Sequence, residues 1–194
     1  MKPPTQRDLQ AETRRGQLLD IALALFAERG VENVSIKDLA AEAQVAPGLI
    51  YHYFASKDDL LTAVLQKHNP LPEFEGITEQ LADLPARDGL LFLANHLAGL
   101  LSERRLVMRL LLRELLSPRS NLLGGVVAFR AESIELFSAY FQRRIDAGEL
   151  RPHDPLVSLH MLVSSFLILV VLDQPLEPMI PQLVETILNG IRAA

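Results

Sequence analysis

The chain has 194 residues, no cysteine and a formal net charge of −5. The lack of cysteine excludes disulfides, zinc–thiolate sites and thiol catalysis, and the acidic balance argues against a protein that coats nucleic acid indiscriminately. Hydrophobic residues make up 49% of the chain, and helix-forming Ala, Leu, Glu and Arg outnumber strand-forming runs. We therefore expect an all-α protein with a substantial core.

Neither end of the chain nor its longest apolar run predicts a membrane segment. Residues 1–8 contain no apolar stretch, so no signal peptide is expected. The run over residues 156–172 is interrupted by serines and a histidine, which makes it too short and too polar for a membrane span. A cytoplasmic location with no membrane partner is the expectation.

Prolines separate the apolar-periodic segments, where helices should begin or end. Residues 1–10 are expected to form a flexible arm, residues 11–69 a first helical domain and residues 70–194 a second. Helices are predicted over residues 12–29, 36–43, 47–53, 57–68, 86–103, 105–116, 120–147, 155–172 and 179–192, with a weaker one over 77–84.

The first domain has the layout of a helix-turn-helix, over about residues 35–54. The helix before it carries one apolar stripe that includes Leu18, Ala22 and Phe26, and Gly30 suits a left-handed cap after it. Ser35 is a natural N-cap for the next helix, with Asp38 at the N3 position. The lysine-led helix from residue 57 completes the layout.

The segment from Leu18 to Leu65 resembles the tetracycline-repressor (TetR-type) family of bacterial transcriptional regulators. The run Tyr51-His52-Tyr53-Phe54, followed by Ser56-Lys57 and an acidic pair, is the most specific part of this resemblance. The other matching residues are Ala22, Leu25, Phe26, Gly30, Val34, Ser35, Ile36, Asp38, Leu39, Ala40, Ala43, Val45, Gly48, Ile50, Leu60 and Leu61. The match covers about a quarter of the chain.

The resemblance implies double-stranded operator DNA as a partner and assigns contacts to particular residues. Ser35 and Lys37 would hold a phosphate at the start of a helix, and Lys57 would clamp another. The recognition helix would present its first residues and its aromatic residues to the bases and phosphates. Its implied contacts are Ala46, Pro47, Gly48, Leu49, Tyr51, His52 and Tyr53. The alternative interpretation is that these aromatic residues form the surface rim of a small helical domain.

Three positions depart from the family pattern. Gln44 stands where the family usually has glycine, so a positive φ there would cost some strain. Ala46-Pro47 replaces a hydroxyl and a basic residue, and Leu49 replaces a small hydroxyl residue. The recognition surface is therefore unusually apolar, which favours methyl contacts and DNA shape as sources of specificity.

The charge of the first domain does not by itself favour DNA. Residues 1–67 carry eight Lys/Arg and nine Asp/Glu. DNA binding then requires a locally basic face, for which Arg14, Arg15, Lys37 and Lys57 are the candidates, with the acids turned away.

For the second domain, the resemblance implies a homodimer and a small-molecule effector. The last two helices would pair with their copies in the dimer, although both could instead pack inside one subunit. Arg105, Arg109 and Arg113 are interpreted as a solvated face rather than an anion site. A largely apolar effector is expected, in a pocket lined by Phe92, His96, Met108, Leu112, Phe137, Tyr140, Phe141, His160, Ser164 and Phe166. His96 and His160 could equally be core or interface histidines.

These observations favour a ligand-responsive DNA-binding regulator, most simply a repressor released from its operator by its effector. The alternative is a helical protein-interaction module that keeps the fold but has lost sequence-specific DNA binding. The sequence contains no metalloprotease, hydrolase or phosphate-loop motif. No enzymatic activity, metal site or cofactor is therefore expected.

Overall fold

The computed structural model describes residues 5–69, 71–117, 135 and 137–191. Regular structure in this part of the chain is helical, which confirms the all-α prediction. Among the helices described there, none is long and apolar enough to cross a membrane.

The helices follow one another with short connections. They are α1 (Gln6–Arg29), a 3-10 turn (Val31–Asn33), α2 (Ile36–Glu42), α3 (Pro47–Tyr53), α4 (Lys57–Lys67), α5 (Leu71–Leu81), α6 (Ala86–Glu103), α7 (Arg105–Leu115), α8 (helical over residues 137–146), α9 (Pro155–Val171) and α10 (Ile180–Ile191). Most boundaries agree with the sequence prediction to within one residue. Most of the predicted helix over 120–147 lies outside the described residues.

The start of α1 corrects the predicted flexible arm. The helix begins at Gln6 rather than at residue 12, because Thr5 and Asp8 form a reciprocal capping box. The Thr5 hydroxyl accepts a hydrogen bond from the Asp8 N–H, and the Asp8 carboxylate accepts one from the Thr5 N–H at 2.9 Å. The weaker predicted helix also starts earlier, as α5.

The chain divides into two compact units. The first contains residues 1–69 together with 109–120, so it includes the carboxy-terminal part of α7. Its core is built on α1, which packs against α4 and α2, while α2 packs against α3. Side chains with at most 2% exposure fill this core: Leu19, Ala22, Phe26, Val34, Leu39, Ala40, Ile50, Phe54, Leu60 and Val64.

The second unit contains residues 70–108 and 121–194. Helix α6 is central, because it packs against α5, α9 and α10. Its buried face includes Leu90, Leu93 and Ala94, which are completely covered. Phe166 of α9 and Val184 of α10 are covered to the same extent.

Tyr140 fixes the start of α6 in the second unit. Its hydroxyl donates to the carbonyl oxygens of Pro85 at 3.1 Å and Leu84 at 3.3 Å. Burial raises the pKa of Tyr140 well above its ordinary value, so this hydroxyl remains a donor. A β-carbon on Gly89 would lie 1.9 Å from the Tyr140 oxygen. Only glycine fits there without movement of the tyrosine.

Candidate nucleic-acid interface

The amino-terminal end of α2 is exposed and closed by a capping box. The Ser35 hydroxyl donates to the Asp38 carboxylate at 2.6 Å, and the Ser35 N–H donates to it at 2.8 Å. These two bonds hold the pKa of Asp38 below its ordinary value. The predicted N-cap is confirmed. A phosphate at this end would meet the N–H groups of Ile36 and Lys37, since that of Asp38 already donates to the Ser35 hydroxyl, and it would lie beside the exposed Lys37 side chain.

The turn between α2 and α3 contains a strained residue. Gln44 has a φ of 52°, in the left-handed region that favours glycine. The following N–H, of Val45, donates to the Ala40 carbonyl at 2.9 Å and closes the turn. Gln44 therefore has the positive φ, and with it the backbone strain, that its position in the motif led us to consider.

Helix α3 begins without a side-chain cap. Ala46 occupies the N-cap position and Pro47 the first helical position, where its missing N–H costs nothing. Ile50 is 2% exposed and anchors the helix to the core. The opposite face is open: Pro47 and Gly48 are exposed, Leu49 is partly exposed, and Tyr51 is 57% exposed.

No contact or backbone angle among the described residues requires a glycine at position 48. Its φ is not positive, and a β-carbon built on it would meet no atom within 4 Å. Glycine in a helix costs about 1 kcal/mol relative to alanine. Gly76, Gly99 and Gly190 share this lack of a local reason, and Gly48 differs from them in lying on the exposed face of the predicted recognition helix.

The aromatic residues at the end of α3 divide into outer and inner members. Tyr51 and His52 are exposed and Tyr53 is half-buried. The His52 and Tyr53 rings meet edge to face, with their centroids 5.2 Å apart. Phe54, which ends the helix, is buried beneath the Arg15 guanidinium, 5.4 Å from its ring centroid. The Arg15 side chain therefore packs against the core of the first unit.

Lys57 is used differently from the role that the resemblance implies. Its ammonium group donates to the main-chain carbonyls of Val31 at 2.8 Å and Val34 at 3.3 Å. The side chain is only partly exposed. Two of its three N–H donors therefore tie the segment before α2 to the start of α4. Lys57 therefore stabilises the first unit internally, and its predicted phosphate contact stays a prediction.

Sequence reasoning missed the contribution of α7 to this unit. Glu114 is 6% exposed, and its carboxylate accepts a hydrogen bond from the Val31 N–H at 3.4 Å. The Arg113 guanidinium donates to the Glu28 carbonyl, so this arginine is not simply part of a solvated face. A glutamate 83 positions away from its partner gives no sequence signal.

The ten predicted pocket residues differ in burial and in the unit to which they belong. Met108, Phe137, Tyr140, Phe141 and Phe166 are core residues with at most 8% exposure. His96 and Ser164 are exposed, Phe92 and His160 are intermediate, and Leu112 belongs to the first unit. The spacing that grouped them predicts which residues share a helix face. It does not predict which neighbour covers that face.

Comparison with known proteins covers the first unit by sequence and the chain by fold. Residues 18–64 match the family model described as bacterial regulatory proteins, tetR family. The transcriptional repressor KstR2 of Mycobacterium tuberculosis is 42% identical over 57 residues, which are 29% of this chain and 28% of KstR2. The match spans between about a quarter and two fifths of the length of such curated relatives.

Two solved structures share the fold at low sequence identity. The regulator FadR from Bacillus subtilis, in complex with stearoyl-CoA, has a TM-score of 0.72 and 21% identity, covering 91% of this chain and 99% of FadR. The ketosteroid transcriptional regulator KstR2 of M. tuberculosis has a TM-score of 0.74 and 20% identity, covering 93% and 96%. Residues 18–64 thus match the tetR family of bacterial regulatory proteins, and the chain shares the fold of these two regulators.

Proposed function

We propose that this protein is a DNA-binding transcriptional regulator that acts as a homodimer in the cytoplasm. In this proposal it is a repressor that leaves its operator when a small, largely apolar effector binds. The contact surface is the one predicted from the sequence, centred on α3 and the start of α2. Lys57 is the exception, because it acts mainly by holding that surface in place.

The observation that carries the proposal is the exposed face of α3. An isolated helix of seven residues is too short to be stable in water, and Ile50 anchors this one to a core. Its outer face nevertheless leaves Tyr51 exposed, and a β-carbon built on Gly48 of the same face would meet no atom within 4 Å. A close approach of a DNA backbone to Gly48, with Leu49 and Tyr51 against base edges, accounts for all three residues.

Titration of DNA tests the proposal. The intact protein should protect a specific sequence in the intergenic DNA upstream of its own gene. It should bind that duplex far more tightly than a scrambled duplex of equal length and composition, because specific binding exceeds non-specific binding by roughly 10³-fold or more. The observed affinity should fall steeply with salt. Equal binding to both duplexes would instead favour the interaction-module alternative.

The proposed effector is largely apolar. The second unit is rich in aromatic and aliphatic side chains, with α9 apolar over most of its length. The FadR structure holds stearoyl-CoA, and KstR2 is described as a ketosteroid transcriptional regulator. Long-chain acyl-CoA thioesters and ketosteroids are therefore the first compounds to test.

The effector test requires a change in DNA affinity and not binding alone. An effector that dissociates the operator complex by about 2–3 kcal/mol, the normal size of a coupling energy, would weaken DNA binding roughly 30- to 150-fold. By reciprocity, operator DNA should weaken effector binding by the same factor. A compound that binds without either effect is not the effector proposed.

The outer face of α9 supports the homodimer. Val157, Met161, Ile168 and Leu172 are 54%, 42%, 53% and 59% exposed and recur at helical spacing along one side of the helix. An exposed apolar stripe of this kind, with Ser164 between Met161 and Ile168, is typical of a protein–protein interface. Over residues 180–190 of α10, the exposed residues are the polar Gln182, Thr186 and Asn189, together with Pro181 and Gly190, and they include no large apolar side chain. The proposed dimer is therefore centred on α9, and α10 contributes less than the sequence prediction assumed.

A further inference from the structure

The amino-terminal half of α1 forms a helix with no core of its own. Residues 6–14 are all exposed, and the first fully buried side chain of the helix is Leu18. Most helices in proteins are stabilised by packing of an apolar face. This half depends instead on the Thr5–Asp8 capping box and on its continuity with the packed half of α1. We call this exposed half of the helix the projection.

The charged residues of this projection are segregated around the helix. Arg7, Gln10, Arg14 and Gln17 lie at i, i+3, i+7 and i+10, which places them on one side. We call these four residues the arginine–glutamine face. Asp8 is about 100° further round the helix from Arg7, and Glu12 lies beyond it. Gln6, Thr13 and Leu9 join Gln10, Arg14 and Gln17 in lining a shallow, open groove.

The projection starts beside the recognition helix. The Arg15 guanidinium lies over the ring of Phe54, 5.4 Å from its centroid, and Phe54 is the residue that ends α3. All these residues belong to the same compact unit. This contact places the end of the projection that is nearest to Arg15 next to the end of α3.

We propose that the arginine–glutamine face binds the phosphate backbone of duplex DNA next to the operator. The inference rests on the proposed function and adds a second contact surface to it. Arg7 and Arg14 are about 10.5 Å apart along the helix axis, so their guanidinium groups can reach different phosphates of one strand. Glutamine amides donate hydrogen bonds to phosphates, and two guanidinium groups without a carboxylate on their side of the helix complement the negative charge of the backbone.

The experiment compares wild type with the variant Arg7→Ala/Arg14→Ala on two duplexes. One is the operator trimmed to the segment that footprinting shows to be protected by the helix-turn-helix. The other is the same operator with its natural flanks. Wild type should bind the flanked duplex more tightly, and the double variant should lose this advantage. The slope of log K against log salt should become shallower by at most about 3.6, from two arginines in each of two subunits at about 0.9 each.

A matched variant separates local contact from net charge. Arg143→Ala/Arg151→Ala removes the same two charges from exposed positions in the second unit, and it should keep both the flank advantage and most of the slope. Discrimination between operator and scrambled duplex should be unchanged in both variants. Unaltered flank dependence and slope in Arg7→Ala/Arg14→Ala would overturn this inference alone. Failure of wild type to prefer any duplex would overturn the proposed function and this inference together.

Discussion

The ammonium group of Lys57 lies 2.8 Å from the main-chain carbonyl oxygen of Val31 and donates a hydrogen bond to it. A second bond reaches Val34, so one side chain ties α4 to the segment that leads into α2. We expect Lys57→Met to lower the free energy of unfolding by about 1–3 kcal/mol, the range for hydrogen bonds from a charged donor. Operator affinity should fall because the start of α2 loses its support. Chemical denaturation and DNA titration measure the two effects.

Lys37→Met is the matched control for Lys57→Met. Lys37 is exposed on α2, so its removal should leave unfolding unchanged while the salt slope becomes shallower by about 0.9 per subunit. Lys57→Met should leave that slope unchanged. A shallower slope in Lys57→Met with normal stability would return Lys57 to the phosphate-clamp role that the resemblance implies.

Gly48→Ala should separate folding from DNA binding. The added methyl group meets nothing within 4 Å, and alanine favours a helix over glycine by about 1 kcal/mol. The variant should therefore be at least as stable as wild type. If a DNA backbone approaches Gly48, operator affinity should fall by about 1–3 kcal/mol, the cost of one lost contact, or roughly 5- to 150-fold in Kd.

Gly76→Ala provides the comparison for Gly48→Ala. Gly76 is an exposed glycine within α5, and a β-carbon there also meets nothing within 4 Å. This variant should gain stability by a similar amount and bind the operator as wild type does. Unchanged operator affinity in Gly48→Ala would show that the glycine is not a point of close approach.

Ile168→Glu should convert the protein to monomers. The substitution places a carboxylate in the middle of the exposed apolar stripe of α9, where a dimer interface would have to bury it unpaired. Sedimentation equilibrium should show the halved mass, and operator affinity should fall because one subunit reads one half-site. Ser102→Glu adds the same charge at an exposed position on α6 and should remain dimeric. A dimeric Ile168→Glu would exclude this face as the interface.

Acid should remove the contribution of Asp38 to stability. Hydrogen bonds from Ser35 lower the pKa of Asp38 from its ordinary 3.8, so the charged carboxylate stabilises the fold above that value. This stabilisation is lost as the pH falls through the lowered pKa. Asp38→Asn should thus melt at a lower temperature than wild type at neutral pH, and the difference should shrink in acid below pH 3.8. In a Ser35→Ala background the same substitution should matter less, and a difference that grows in acid would contradict this account.

The parts of the fold that follow from local chemistry were predictable. Ser35 with Asp38, Pro47 at the first position of α3 and Lys57 at the start of α4 each define a helix boundary through neighbouring residues. The strain at Gln44 follows from the turn geometry that the motif requires. The amino-terminal half of α1 was missed because residues 6–14 bury nothing and show no apolar period, although Thr5 and Asp8 have the spacing of a capping box.

The remaining features depend on contacts between distant residues. Lys57 meets carbonyls 23 and 26 positions away, and Glu114 meets Val31 across 83 positions. A lysine next to a helix-turn-helix predicts a phosphate contact whether or not its ammonium group also binds main-chain carbonyls. The aromatic residues proposed for the pocket show the same limit. Phe137, Phe141 and Phe166 have the composition of a ligand site and are buried. Burial is equally true of a packed core and of an enclosed pocket, so their place in the pocket stays a prediction.

The tyrosine at position 140 and the glycine at position 89 are two halves of one constraint. Because the phenol fills the place of a β-carbon, a residue larger than glycine cannot enter position 89 while the tyrosine stays at 140. Homologous sequences should therefore change these two columns together: a smaller or shorter side chain at 140 should accompany any alanine or serine at 89. Such paired substitution would leave a record of this packing in the sequences alone.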